Sequence, residues 1–183
     1  IRLSLVGSEM CIRDRHEAGA AAFTSSGGQT EAFNAENSAE ISGLLRGADL
    51  VIDGVLGTGA KPGLPEDLAA LIRGWQGSAT SGQFVVAVDV PTGVDASTGA
   101  CGPTHVRATH TVTFGADKAG LLLPGGADAA GEVTMVDIGL DMSAHVPAVH
   151  VPDDSDLATL WPRPQAGDHK YSRGVLGLVA GSA

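Results

Sequence analysis

Four residues able to do chemistry, Asp53, Asp89, Thr92 and Lys118, each stand at or just beyond the end of an apolar run. Asp53 closes Asp49-Leu50-Val51-Ile52-Asp53 and is followed by Gly54-Val55-Leu56-Gly57-Thr58-Gly59. Asp89 follows Phe84-Val85-Val86-Ala87-Val88 and leads into Val90-Pro91-Thr92-Gly93, while Lys118 follows Thr109-His110-Thr111-Val112-Thr113-Phe114-Gly115. Runs of buried-type residues with β-branched members suit central strands covered on both faces, as in parallel sheets. In open α/β sheets ligands bind beyond the carboxyl ends of the strands. If the three runs are parallel neighbours, all four residues emerge on one edge.

The chemistry open to them is specific. Asp53 with the hydroxyl and carbonyl oxygens of the Asp89-Val90-Pro91-Thr92 loop offers hard oxygen ligands suited to a cation without transition-metal chemistry. Lys118 either holds Asp89 ionised or meets a phosphate. The plainer alternatives are that each strand-end Asp caps the next turn and that Lys118 is an exposed loop lysine. Gly57-Thr58-Gly59 lacks the full spacing of a dinucleotide fingerprint or a P-loop and is a weak phosphate cradle. Its glycines still let backbone amides approach a pyrophosphate; Lys61 meets a phosphate or is merely solvated. Asp95 suits an Asx-type turn.

The elements that must position these residues have the βαβ rhythm of a parallel sheet. Pro65-Glu66-Asp67 opens a helix with Leu68, Leu71, Ile72 and Trp75 on one face. Asn37 and Glu40 fit a capping box for a helix that stops near Gly47. Gly77 to Gly82 is a turn, Gly115 to Gly131 reads as loop, Glu132 to Ile138 as a strand, and Pro147 to Val151 as a further strand before a short helix from Asp153 to Trp161. Upstream, His16 to Ala20 reads as a helix tail leading into a strand, Ala20 to Thr24. Ile1 to Arg15 shows no periodicity that continues past Arg15 and is set aside as a non-native segment. Residues 162–173 read as a linker, and Gly174 to Ser182 as the first strand of a second domain.

Composition removes several function classes. The chain has 183 residues, 43% hydrophobic and only 4% aromatic, with 26 glycines, enough for one substantial core of α/β type. A formal net charge of −10 with 11 Lys and Arg argues against a nucleic-acid groove. No run reaches the ~20 apolar residues of a membrane helix. Two cysteines, Cys11 and Cys101, give neither a disulfide framework nor metal-ligand spacing, which points to a reducing cytoplasm. The six histidines form no zinc pattern, and no G-x-S-x-G elbow is present.

Taken in order, Val51 to Gly59, Ala87 to Asp95, Val112 to Gly120 and Val136-Asp137-Ile138-Gly139 resemble the NAD(P)H-hydrate epimerase family of the YjeF N-terminal type. The tail His169 to Ser182 resembles the start of an ADP-dependent dehydratase domain with a ribokinase-like fold. The resemblance implies a Rossmann-like three-layer α/β domain with a mostly parallel sheet, N-terminally truncated, over residues 16–161. It implies epimerisation of the R and S forms of hydrated NADH or NADPH, with a fused dehydratase as partner and a homo-oligomer left open. It further implies that Asp53 and Thr92 ligate potassium, Thr92 standing where the family has serine, and that Gly57, Thr58, Gly59, Ala60, Lys61, Pro62 and Gly63 wrap the dinucleotide. Asp89 would contact the altered ring and move a proton beside Lys118. The family's early N-N-G-G-D-G segment is absent. The alternative is a non-catalytic ligand-binding or scaffold domain of the same fold.

Overall fold

The structure is a computed structural model that describes residues 4–5, 17–59, 63–77, 82–160, 163, 165–169, 171–172 and 177. It separates into two compact units, residues 1–145 and 146–183. The larger holds a parallel four-stranded sheet of β3 (Leu50–Asp53), β4 (Phe84–Val88), β5 (His110–Phe114) and β6 (Glu132–Val136), paired in that order. A two-residue strand β1 (Ser4–Leu5), inside the segment read as non-native, pairs in parallel with β2 (Gln29–Thr30). The helices are α1 (Glu17–Ser25), α2 (Ser38–Arg46), α3 (Glu66–Gln76), α4 (Ala119–Leu122), α5 (Gly126–Ala130) and, in the smaller unit, α6 (Asp154–Leu160). The parallel sheet with flanking helices is the Rossmann-like α/β arrangement expected.

One face of the sheet is built as the periodicity implies. Leu68, Leu71, Ile72 and Trp75 of α3 are all buried, and they join Ile41 of α2 with Val51 and Val85 of the strands in one core. Gln83 fastens this layer: its Oε1 accepts from Trp75 Nε1 at 2.8 Å while its Nε2 donates to Leu45 and Ala48 carbonyls at 2.7 and 2.6 Å. A second cluster joins Val90 and Val94, from the segment after β4, to Leu121 of α4 and to Ala129 and Ala130 of α5.

The opposite face departs from a strand covered on both sides. In β3 the residues alternate exposed and buried, with Leu50 and Ile52 at 51% and 52% exposure, and β3 is the edge of the four-stranded sheet rather than its centre. Phe84 and Val88 continue the same exposed face across β4. A continuous apolar run describes a strand's side chains but does not specify what packs on each side. Ile52→Thr keeps a β-branched strand residue and should lower aggregation and dye binding at this face. Its free energy of unfolding from urea titration should stay within about 0.5 kcal/mol of wild type, as for an exposed site. A loss of several kcal/mol would show that Ile52 is covered in solution.

Four local expectations are corrected. Residues 20–24 continue helix α1 instead of forming a strand, since Ala18 to Ala22 carries no β-branched residue and alanine favours helix. Asn37 does cap α2 by position, but its side chain makes no cap hydrogen bond: Nδ2 donates to the Ala32 carbonyl at 2.7 Å and Oδ1 accepts from Asn34 N–H at 2.9 Å. Residues 115–131 contain α4 and α5, each too short for a 3.6-residue period to register. Residues 147–151 form no strand. Residues 78–81 of the expected turn, residues 162, 164, 170 and 173 of the linker and all of Gly174 to Ser182 except Gly177 lie outside the described residues.

Candidate functional site

The register of the sheet brings the candidate residues together. Asp53 pairs across to Ala87, and Val88 to Val112, so Asp53, Asp89 and the residues after β5 leave the sheet at the same end. At this edge two pairs form. Thr92 donates to Asp53 twice, from its hydroxyl to Oδ1 at 2.6 Å and from its backbone N–H to Oδ2 at 2.7 Å. The same hydroxyl accepts the Leu56 N–H at 3.1 Å, which ties the Gly54–Gly59 loop to the loop after β4.

Asp53 is 4% exposed and Thr92 is fully buried. Burial pushes the Asp53 carboxyl above its ordinary value, and the Thr92 hydroxyl, the Thr92 N–H and the Val55 N–H offset only part of that. The corner is therefore a desolvated carboxylate beside a hydroxyl, with oxygen donors only. Such a donor set fits a monovalent cation, which would supply the positive charge that the corner lacks. Among the described residues no group of three or more His, Cys, Asp or Glu is placed to hold a metal ion.

The second pair is ionic. Lys118 Nζ lies 2.8 Å from Asp89 Oδ1 and also donates to the Phe114 carbonyl at 2.7 Å, both side chains being more than four-fifths buried. Partial burial pushes the Asp89 carboxyl up, but Lys118, the Phe114 N–H and the Thr113 hydroxyl together outweigh it and hold Asp89 below its usual range. Asp89 is thus ionised at neutral pH. Among the described residues it is also the non-glycine one with positive φ, +71°, a conformation that Asp tolerates better than most but that still costs about 1–3 kcal/mol. The strained turn re-aims its carboxylate from the strand toward the Gly54–Gly59 loop: a Cβ placed on Gly57 would stand 4.0 Å from Asp89 Oδ2.

Of the dinucleotide-loop residues, Gly57, Thr58 and Gly59 form the turn beside Asp89, and Gly63 meets Gly102 at the other end of the loop. Ala60, Lys61 and Pro62 lie outside the described residues. Asp95 is structural: its Oδ1 accepts from Ser97 and Thr98 N–H groups at 2.9 and 2.8 Å. Cys101 is a free thiol, and Cys11 lies outside the described residues. Two contributors carried no signal of their own. Leu56 acts only through its backbone, and Thr113 reads as one more strand threonine, although a polar residue on the covered face of β5 is the pattern that could have marked it.

Residues 1–120 match the family described as YjeF-related protein N-terminus. The chain belongs to this family. The YjeF-related chain is 39% identical over 168 residues to the bifunctional NAD(P)H-hydrate repair enzyme Nnr of Mycobacterium tuberculosis strain H37Rv, a match covering 92% of this chain and 32% of the relative. It is 39% identical over 141 residues to the NAD(P)H-hydrate epimerase of Clavibacter michiganensis, covering 73% of this chain and 60% of that protein. It is 41% identical over 101 residues to the corresponding epimerase of Rhodopirellula baltica, covering 55% and 40%. The chain therefore spans about a third of the bifunctional relative and under two thirds of each epimerase. No helix among the described residues is long and apolar enough to cross a membrane.

Proposed function

We propose that the protein of which this chain is part interconverts the R and S epimers of hydrated NADH and NADPH, and that in bifunctional form it works beside a dehydratase domain. The observation that carries the reading is the Asp89–Lys118 ion pair at the strand-end edge, turned toward a glycine loop. Relatives named as NAD(P)H-hydrate epimerases support it further.

The chemical problem is inversion at a hydroxylated ring carbon. In this proposal the Lys118 ammonium protonates the departing hydroxyl, which leaves as water as the ring-nitrogen lone pair forms the C=N⁺ bond. Water then adds on the other face and its proton passes to Asp89, which starts ionised and so starts as the acceptor. Asp89 then releases that proton to solvent and Lys118 regains one from it, which restores the pair. Gly57 to Gly63 would present backbone amides to the pyrophosphate.

Asp53 and Thr92 would hold a potassium ion, whose charge would compensate the buried carboxylate. Because the folded pKa of Asp53 is raised, its contribution to stability is fully present below the unfolded value of 3.8 and is lost as pH rises through the folded value. Potassium should therefore stabilise the protein more at pH 7 than at acid pH, and more than lithium does. Epimer ratios followed in the intact protein, with thermal melts and ligand titrations in each salt, test both statements. Unchanged epimer ratios remove the activity and leave a binding or scaffold role; equal melts and affinities in the two salts remove the ion.

A further inference from the structure

Three donors converge on one oxygen of Asp89. Lys118 Nζ, Thr113 Oγ1 and the Phe114 N–H reach Oδ1 at 2.8, 3.1 and 3.4 Å. Among the described residues no donor is placed on Oδ2, the oxygen that faces Gly57. The two oxygens of one carboxylate thus have separate duties: one is anchored, and the other is presented to the loop.

Thr113 is the part of the anchor with a dedicated side chain and no other partner among the described residues. It is fully buried, and its hydroxyl donates to Asp89 and to nothing else described. Lys118 divides its protons between Asp89 and the Phe114 carbonyl, while the Phe114 N–H sits at the long end of hydrogen-bonding distance. A flexible ammonium alone leaves the carboxylate free to turn about χ2, exchanging Oδ1 and Oδ2 between anchor and loop. The Thr113 hydroxyl, rigid at χ1 because the residue is β-branched and held in a strand, fixes the plane.

We infer that Thr113 is a positioning residue for Asp89, which locks Oδ1 so that Oδ2 is the single atom that takes a proton from the substrate side. The inference rests on the epimerase reading. Lys118 is the charged group facing Asp89; Asp53, at the end of neighbouring β3, is turned to Thr92 instead.

The test compares Thr113→Val, which keeps the shape and loses the hydroxyl, with Thr113→Ser, which keeps the hydroxyl, in the intact protein. Thr113→Val should lower kcat about tenfold with KM changed less than about twofold. It should also raise the acid limb of the kcat/KM profile, and the Asp89 carboxyl titration followed by ¹³C NMR, by roughly one pH unit, the effect of losing one hydrogen bond to a charged acceptor. Thr113→Ser should restore all three. A defect shared equally by the Val and Ser variants would mean a packing role and overturn the inference. So would an Asp89 titration identical in Thr113→Val and wild type, whatever the turnover. A wild-type protein that does not change the epimer ratio overturns the epimerase reading instead, and the NMR titration still decides whether Thr113 anchors Asp89.

Discussion

Replacing Asp89 with Asn should reduce epimerisation in the intact protein by about 10²–10⁴-fold, the usual worth of a positioned general acid or base. Binding of the hydrated dinucleotide should remain measurable. The amide has nearly the shape of the carboxylate, so the turn at φ +71° is kept, and Asn tolerates that region as Asp does. What disappears is the proton acceptor and the charge that holds Lys118. Single-turnover rates and ligand titration on the same variant separate the two effects, and wild-type rates would remove Asp89 from the mechanism. A pH dependence accompanies this. The folded pKa of Asp89 lies below 3.8, so the stability that its ion pair contributes is present above that value. It is lost only as pH falls through the lower folded value, in the opposite sense to Asp53.

Gly120→Ala should destabilise the protein by about 3 kcal/mol or more, from steric collision alone. A Cβ at Gly120 would stand 2.2 Å from the Asp95 carbonyl oxygen and 2.7 Å from the Ala96 carbonyl carbon, and these are backbone atoms with no rotamer to yield. The Gly120 N–H donates to the Ala96 carbonyl at 2.8 Å, so the two segments cannot separate without breaking that bond. Because α4 begins one residue after Lys118, its displacement also draws Nζ away from Asp89. A domain has roughly 5–15 kcal/mol in hand, so the urea midpoint should fall sharply. Gly43→Ala is the contrast. In the middle of α2, the added methyl meets only the Arg46 guanidinium at 3.8 Å and should stabilise by roughly 0.5–1 kcal/mol. Equal midpoints for the two variants would show that the close approach of α4 to the Asp95–Ala96 segment is absent in solution.

Asp53, Asp89, Thr92 and Lys118 were legible as a group because each follows an apolar, β-branched run, and in a parallel sheet the ends of such runs meet at one edge. The α3 stripe was legible for a related reason: a period of 3.6 over 11 residues is a local property of the chain. Neither argument needs to know which strand neighbours which. Partner choice does need it. Asp89 meets Thr113 because Val88 pairs with Val112, a register between strands 24 residues apart that no local pattern encodes.

Local pattern reaches the type of sheet but not the surroundings of each strand. Alternation and glycine placement were enough for a parallel α/β sheet with acids at its strand ends. They could not say that β3 lies at an edge with Leu50 and Ile52 exposed, because an apolar residue looks the same whether or not a neighbour covers it. Nor could they show α4 and α5, whose four and five residues exist through contacts at Gly120 and Gly126 rather than through helical propensity. The division of Asp89 into an anchored and a presented oxygen likewise depends on three donors supplied by residues 113, 114 and 118. Their convergence on one atom comes from the strand register and from the tight turn into α4.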